Sequence, residues 1–217
     1  KIIEEIHKKI NHPVGVMTHL ACADEDDDSF SNNQVKTFEN IIKETKAELS
    51  ILNSAGIIKY WKKFNNVSEW IRPGIMLYGV SPCKNNEEIK IKPAMTLKAP
   101  VISIKECKKG EKIGYGHTYQ FEKDTRVASL GIGYGDGFSR KLSNVGRVFY
   151  ENSFFNIVGR VSMDILTVDI GNKEIDLGTQ FELWGNNISI RDVSDLIDTI
   201  PYELMCSLGN RLKKEYI

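Results

Sequence analysis

Ser50-Ile51-Leu52-Asn53 is a short apolar run, and residues 55–64 behind it carry apolar side chains at helical spacing. A strand handing over to a helix within a residue or two is the start of a βα unit, and the same alternation extends in both directions. Upstream, residues 1–10 place Ile2, Ile3, Ile6 and Ile10 on one helical face with charges opposite. Val14-Gly15-Val16-Met17 then reads as a strand, and residues 33–49 as a second amphipathic helix with Val35, Phe38, Ile41, Ile42 and Leu49 inward. Downstream, a last short strand is expected near Ile71, before Met76-Leu77-Tyr78. Strands alternating with helices in this way build a parallel sheet. About three βα units of about 30 residues fit here. A complete (β/α)8 barrel takes about 250 residues, so about 150 of a parent barrel would be unaccounted for.

From Pro93 onward the pattern changes. Short β-rich runs occupy 96–105, 126–130, 147–150, 156–158, 165–170 and 181–184. Lys109-Gly110, Gly135-Asp136-Gly137, Gly171-Asn172 and Gly185-Asn186-Asn187 punctuate them as turns. This predicts an antiparallel β-domain, closed by a helical stretch at 190–197 and the segment after Pro201. The polar, proline-containing segment 81–92 suits a junction, dividing the chain into 1–92 and 93–217.

Composition narrows the functions. Basic and acidic side chains balance at 29 each, so no global field recruits nucleic acid or an anionic membrane. No apolar run approaches the roughly 20 residues of a membrane span. Lys1-Ile2-Ile3-Glu4-Glu5-Ile6 is no signal peptide; it reads as the middle of an amphipathic helix, so the chain is expected to start inside a larger protein. Cys22, Cys83, Cys107 and Cys206 are far apart, as suits reduced thiols in the cytoplasm. The four histidines are equally scattered, and no metal site is expected. The acidic run from Asp24 to Asp28 lacks the glycine and terminal glutamate of an EF-hand and reads as a solvated loop.

Several positions carry candidate chemistry beside a plainer reading. Asn53-Ser54, between strand and helix, could cap the helix or offer a hydroxyl and amides to a phosphate. Pro73-Gly74-Ile75 is a second place where backbone can approach a phosphate closely, because glycine permits it. Arg72 is permanently charged and can only donate hydrogen bonds, and on its own it reads as a surface ion-pair residue. His19, just past a strand end, reads on its own as a hydrogen-bonded structural histidine. Tyr115, in Lys112-Ile113-Gly114-Tyr115-Gly116-His117-Thr118-Tyr119, is a turn aromatic or a catalytic base. A phenol titrates near about 10, so a base role needs a neighbouring charge or hydrogen-bond chain. Ile132-Gly133-Tyr134-Gly135-Asp136-Gly137 alternates glycines at every second position with no helix following, which excludes a dinucleotide fingerprint.

Taken in order, Trp70-Ile71-Arg72-Pro73-Gly74-Ile75-Met76-Leu77-Tyr78-Gly79, the Tyr115 run, the Tyr134 segment and Gly159-Arg160-Val161-Ser162-Met163-Asp164 resemble the second half of alanine racemase. The resemblance covers nearly the whole chain. It implies the last part of a (β/α)8 barrel that binds pyridoxal 5'-phosphate (PLP), followed by an antiparallel β-domain carrying the catalytic tyrosine. It implies racemisation of L- and D-alanine, supplying D-alanine for peptidoglycan, in a cytoplasmic head-to-tail homodimer with shared active sites. Cofactor-binding roles fall on His19, Asn53, Ser54, Arg72, Gly74, Ile75 and Tyr202. Arg72 would face the pyridine nitrogen, and His19 would link it to the catalytic tyrosine. Tyr115 would be the base on the L-alanine face, Met163 would hold the substrate carboxylate through its amide, and Tyr134 would narrow the substrate entrance.

The resemblance also puts the cofactor-binding lysine and the carboxylate-orienting arginine of the family before Lys1. Lys59, Lys62 and Lys63 lie on a polar helix face and are poor substitutes, so the 217-residue chain alone is expected to be inactive. Arg211-Leu212-Lys213-Lys214 stands where the family has a proline-containing segment. Two other readings remain: a racemase for serine, lysine or ornithine on the same scaffold, or a non-catalytic dimerisation or binding remnant.

Overall fold

The structure, a computed structural model, describes residues 2–10, 12, 14–43, 47–66, 68–83 and 91–216. It divides into two compact units, Lys1–Lys92 and Pro93–Ile217. Most of the junction expected at 81–92, namely 84–90, lies outside the described residues.

The first unit runs α1 (Ile2–Lys9), β1 (Gly15–Met17), α2 (Ser29–Ile42), β2 (Glu48–Asn53), α3 (Ser54–Phe64) and β3 (Trp70–Arg72), then a single 3-10 turn at Ile75–Tyr78. The three strands form a parallel sheet in the order β1-β2-β3, with Val16 opposite Leu49 and Asn53 opposite Arg72. Ile51 and Leu52 are consecutive and both wholly buried, so both faces of β2 are covered. That is the pattern of a central strand in a parallel sheet. Val35, Phe38 and Ile42 of α2 and Ala55, Tyr60 and Phe64 of α3 complete this core. Truncating a buried leucine such as Leu52 to alanine in such a core costs about 2–5 kcal/mol.

The helix expected at 33–49 differs at both ends. It begins at Ser29, whose amide and hydroxyl both reach the Asp27 carboxylate, at 2.9 and 2.8 Å. This polar start precedes the apolar periodicity. Its last helical residue is Ile42, and Leu49 belongs to β2, where its amide donates to Glu69 Oε2 at 2.7 Å. Leu49 is inward in either register, so periodicity alone misassigned it. Ile41, expected inward, is 62% exposed. The α1 helix forms, but Ile2, Ile6 and Ile10 are exposed.

The second unit contains β4 (Leu97–Cys107), β5 (Lys112–Ile113), β6 (Tyr119–Gln120), β7 (Thr125–Leu130), β8 (Arg147–Tyr150), β9 (Ser153–Asn156), β10 (Leu166–Gly171), β11 (Gln180–Trp184), α4 (Ile190–Asp195) and α5 (Pro201–Ser207). Six strands form one antiparallel sheet in the order β10-β7-β4-β11-β8-β9, and β5 pairs with β6 separately. Val101, Ala128, Leu130, Val148, Val168 and Phe181 are buried on this sheet. The strand expected at 156–158 begins earlier, at Ser153, because Glu151 and Asn152 adopt positive φ (42° and 60°) and close a tight β8–β9 hairpin. Ile157 keeps only an isolated bridge to Val168.

Among the described residues no cysteine is in a disulfide, no three metal-ligating side chains converge, and no helix is long and apolar enough to cross a membrane.

Candidate active site

Because β1, β2 and β3 are parallel, their C-terminal ends share one edge of the sheet. Thr18 and His19 follow β1, Asn53 ends β2, Ser54 opens α3, and Arg72 ends β3. The Asn53 side chain is the helix cap: its Oδ1 accepts the Gly56 amide at 2.8 Å. Such a cap contributes about 1 kcal/mol. Its Nδ2 donates to the Leu20 carbonyl at 3.0 Å and lies 3.3 Å from His19 Nε2. Asn53 thereby leaves Ser54 to a different task. The buried Ser54 Oγ accepts the Gly74 amide at 2.8 Å and lies 3.5 Å from the Met76 amide. A Cβ on Gly74 would stand 3.7 Å from that oxygen.

Arg72 completes this edge. Its guanidinium donates to the Thr18 carbonyl at 2.8 Å and to Ser50 Oγ. Burial lowers its pKa from the ordinary arginine value, yet arginine stays protonated, so the strand ends carry a fixed positive charge. The His19 ring faces Asn53, while Arg72 bonds the backbone of Thr18 next to it. Gln34 of α2 clamps this segment: its Nε2 donates to the His19 carbonyl at 2.6 Å and its Oε1 accepts the Ala21 amide at 3.2 Å. A glutamine on a helix gave no sequence signal for that role.

In the second unit Tyr115 opens a 3-10 turn, Tyr115–His117, between β5 and β6. Gly114 and Gly116 hold φ of 77° and 72°, the left-handed range that favours glycine. The turn lies directly on Gly159 and Arg160. A Cβ on Gly114 would come 2.8 Å from the Arg160 amide nitrogen, and one on Gly116 would come 2.9 Å from Arg160 Nη1. The Tyr115 ring is 72% exposed.

The Tyr134–Asp136 turn docks on the next part of the same loop. The Tyr134 amide donates to Ser162 O at 3.0 Å and the Gly135 amide to Met163 O at 2.8 Å. Any side chain on Gly133 would collide with Ser162 O and the Met163 carbonyl. Ser162 closes the loop by donating from its amide (2.9 Å) and hydroxyl (2.7 Å) to Ile165 O. The turns of Tyr115 and Tyr134 thus both rest on residues 159–165, which include Met163, and all three side chains face solvent. Tyr202 lies in the first turn of α5, whose last residue, Ser207, donates its hydroxyl to Gly137 O at 2.9 Å.

The first unit therefore joins His19, Asn53, Ser54, Arg72 and Gly74 at one sheet edge, with Ile75 buried behind Gly74. The second docks the separate turns of Tyr115 and Tyr134 on the loop of Met163, and the helix of Tyr202 bonds Gly137 just after the Tyr134 turn. Chemically, the first set offers donors to a phosphate and a fixed cation, and the second offers phenols beside a backbone turn. Sequence reasoning missed Gln34, Asp136, Arg160 and Asp164, which act through contacts with these residues.

Family comparison reaches both units. The model described as "Alanine racemase, N-terminal domain" matches residues 1–82, and "Alanine racemase, C-terminal domain" matches 94–216. The alanine racemase of Vibrio vulnificus is 39% identical over 219 residues, covering 99% of this chain and 60% of the relative. That of Shewanella denitrificans is 40% identical over 206 residues, covering 94% and 56%. Among solved structures, the biosynthetic alanine racemase of Pseudomonas aeruginosa superposes with a TM-score of 0.87 at 32% identity, covering 100% of this chain and 62% of that one. The Bartonella henselae alanine racemase, with covalently bound pyridoxal phosphate, gives 0.89 at 31% identity, covering 99% and 59%. The chain spans about 60% of the length of the relatives it matches. With a partial (β/α)8 barrel followed by an antiparallel β-domain, and with both family models matched in order, this chain belongs to the alanine racemase family.

Proposed function

We propose that this chain is part of a PLP-dependent alanine racemase that interconverts L- and D-alanine in the cytoplasm and supplies D-alanine for peptidoglycan. The observation that carries the reading is the convergence of Ser54 Oγ, the Gly74 amide and the Arg72 guanidinium at one end of a parallel sheet. This donor set fits a phosphorylated pyridine. Ser54 and the amides of Gly74 and Ile75 suit the phosphate at the N-terminus of α3. PLP, when bound, supplies the electron withdrawal that makes the α-proton of an amino acid removable.

The chain's own residues supply binding, orientation and proton transfer. Arg72, held by Thr18 O and Ser50 Oγ, would present a donor to the pyridine nitrogen, and its permanent charge would disfavour protonation of that nitrogen. Asn53 and Gln34 fix His19 and the segment after β1, so the imidazole is oriented before substrate arrives. Racemisation needs a base on each face of the α-carbon. Tyr115 takes or returns the proton on the L face through its phenolic oxygen, while the Met163 amide holds the substrate carboxylate and Tyr134 restricts the entrance. In a head-to-tail homodimer these three residues serve the cofactor held by the other subunit.

The test is Tyr115→Phe in the complete, PLP-loaded enzyme. Loss of a positioned general base lowers kcat by about 10²–10⁴-fold in both directions, while the cofactor absorbance stays that of the wild type. Unchanged racemisation in that variant would refute the assignment.

A further inference from the structure

Arg211, in the segment that departs from the proline-containing pattern, sits on the loops that carry Tyr134 and Met163. Its Nε lies 3.3 Å from Asp136 Oδ1, and its Nη2 pairs with Asp164 Oδ1. Asp136 is nearly buried and already accepts the Gly133 amide at 2.9 Å through its other oxygen. Asp164 directly follows Met163. The arginine is itself held in place, since the Gly209 amide donates to Asp136 O at 3.0 Å. Gly135 leaves room for it, because a Cβ there would come 2.6 Å from Arg211 Nη1 and 3.0 Å from Met163 Cγ.

We propose that Arg211 is a positioning residue for the substrate-carboxylate site: one guanidinium bridges the carboxylates of Asp136 and Asp164 and so fixes the Met163 amide against the Tyr134 turn. The proposal rests on the reading that the Met163 amide receives the substrate carboxylate. The planar guanidinium fork suits two acceptors on different loops, where a lysine would act as a point charge. The bridge also neutralises two negative charges beside the place where a third must arrive. Arg211 and Asp164 are each about half exposed, so their pairing adds little to stability. Its effect belongs on substrate binding.

The experiment compares Arg211→Met, Arg211→Gln and Arg211→Lys in the complete, PLP-loaded enzyme. The readouts are KM and kcat for L-alanine, the inhibition constant of propionate as a bare carboxylate probe, and the thermal midpoint. Arg211→Met and Arg211→Gln are expected to raise KM and the propionate constant together by about tenfold, the scale of one charge-assisted hydrogen bond. kcat should change less, the midpoint should barely move, and Arg211→Lys should restore part of the binding. Arg211→Gln keeps a donor and carries the test if the methionine variant does not fold. An unchanged KM in an active enzyme overturns this inference alone, as does a KM rise that tracks a falling midpoint without rescue by lysine. A wild-type enzyme that racemises no alanine overturns the functional reading and this inference with it.

Discussion

The Gly74 amide donates to Ser54 Oγ at 2.8 Å, tying the turn after β3 to the first residue of α3. The bond joins two strand ends at one corner, with the Gly74 amide, and more distantly the Met76 amide, aimed at the Ser54 oxygen. Ser54→Ala removes the acceptor of the Gly74 amide. The expected cost is about 1 kcal/mol of stability, and a weakening of PLP binding by about ten- to a hundredfold if the hydroxyl also meets the phosphate. Spectroscopic titration of the apoenzyme with PLP measures this. Ser54→Thr, which keeps the hydroxyl, should retain most of the affinity, and equal affinity in the alanine variant would remove Ser54 from the phosphate site.

The two glycines flanking Tyr115 should differ in their tolerance of a side chain. Gly116 sits in the left-handed region, and its Cβ would meet only the far end of the Arg160 side chain, which can move. Gly116→Ala should therefore cost about 1 kcal/mol, the left-handed penalty. Gly114 combines φ 77° with ψ 171°, a region essentially confined to glycine, and its Cβ would press on the Arg160 and Gly159 backbone. Gly114→Ala should lose more stability and displace Tyr115, with a larger fall in kcat. Urea unfolding and racemase assays on the two variants rank them; the reverse order would contradict the docking of this turn on residues 159–160.

Tyr60 and Asp28 give the stability a signature at high pH. The Tyr60 hydroxyl donates to Asp28 Oδ1 at 2.6 Å, and burial first, then this bond, pushes its pKa up to about 12. An unfolded tyrosine titrates near about 10. The folded state therefore favours the neutral phenol, and its contribution is intact below pH about 10 and lost as pH rises from there through about 12. Asp28 is shifted downward, chiefly by the same bond, so its contribution is present above the ordinary carboxyl pKa and fades as pH falls through the lowered one. Tyr60→Phe should cost about 1 kcal/mol near neutrality and show a shallower loss of stability between pH 10 and 12. Parallel denaturation curves for wild type and variant across that window would show the bond to be inert.

The parts legible in the sequence are those with a period. Ile51 and Leu52 read as a strand because a short apolar run hands over directly to a helical pattern, and α3 followed because apolar side chains in 55–64, Tyr60 and Phe64 among them, fall at helical spacing. Leu49 misled because an inward residue fits either period. The turn at Tyr115 was not legible as a 3-10 turn, since its flanking strands are two residues each and carry no periodicity. At Asn53-Ser54 two readings stood open, cap or phosphate ligand; the structure gives the cap to Asn53 and the inter-turn bond to Ser54. Arg211 lies 47 residues from Asp164, and nothing local distinguishes it from a solvated charge. Such contacts belong to the folded surface, where charge patterning in the chain carries no information about partners.

The chain of 217 residues by itself is predicted not to racemise alanine. In the proposed reading PLP would need a lysine beside the Arg72–Ser54 corner, and the lysines that follow Ser54 on α3 are placed otherwise. Lys59 donates to the Glu25 carbonyl and lies 3.3 Å from Asp28 Oδ1, while Lys62 and Lys63 are exposed on α3, with Lys63 over the Phe64 ring. Moving Lys59 would break its bonds to the acidic loop before its amine could serve any cofactor. Purified chain incubated with PLP should give no change in alanine chirality, and borohydride trapping with peptide mapping should find no cofactor on Lys59, Lys62 or Lys63. Turnover by the purified chain, or a stoichiometric adduct on one of these lysines, would mean that a residue of α3 can replace the family's lysine.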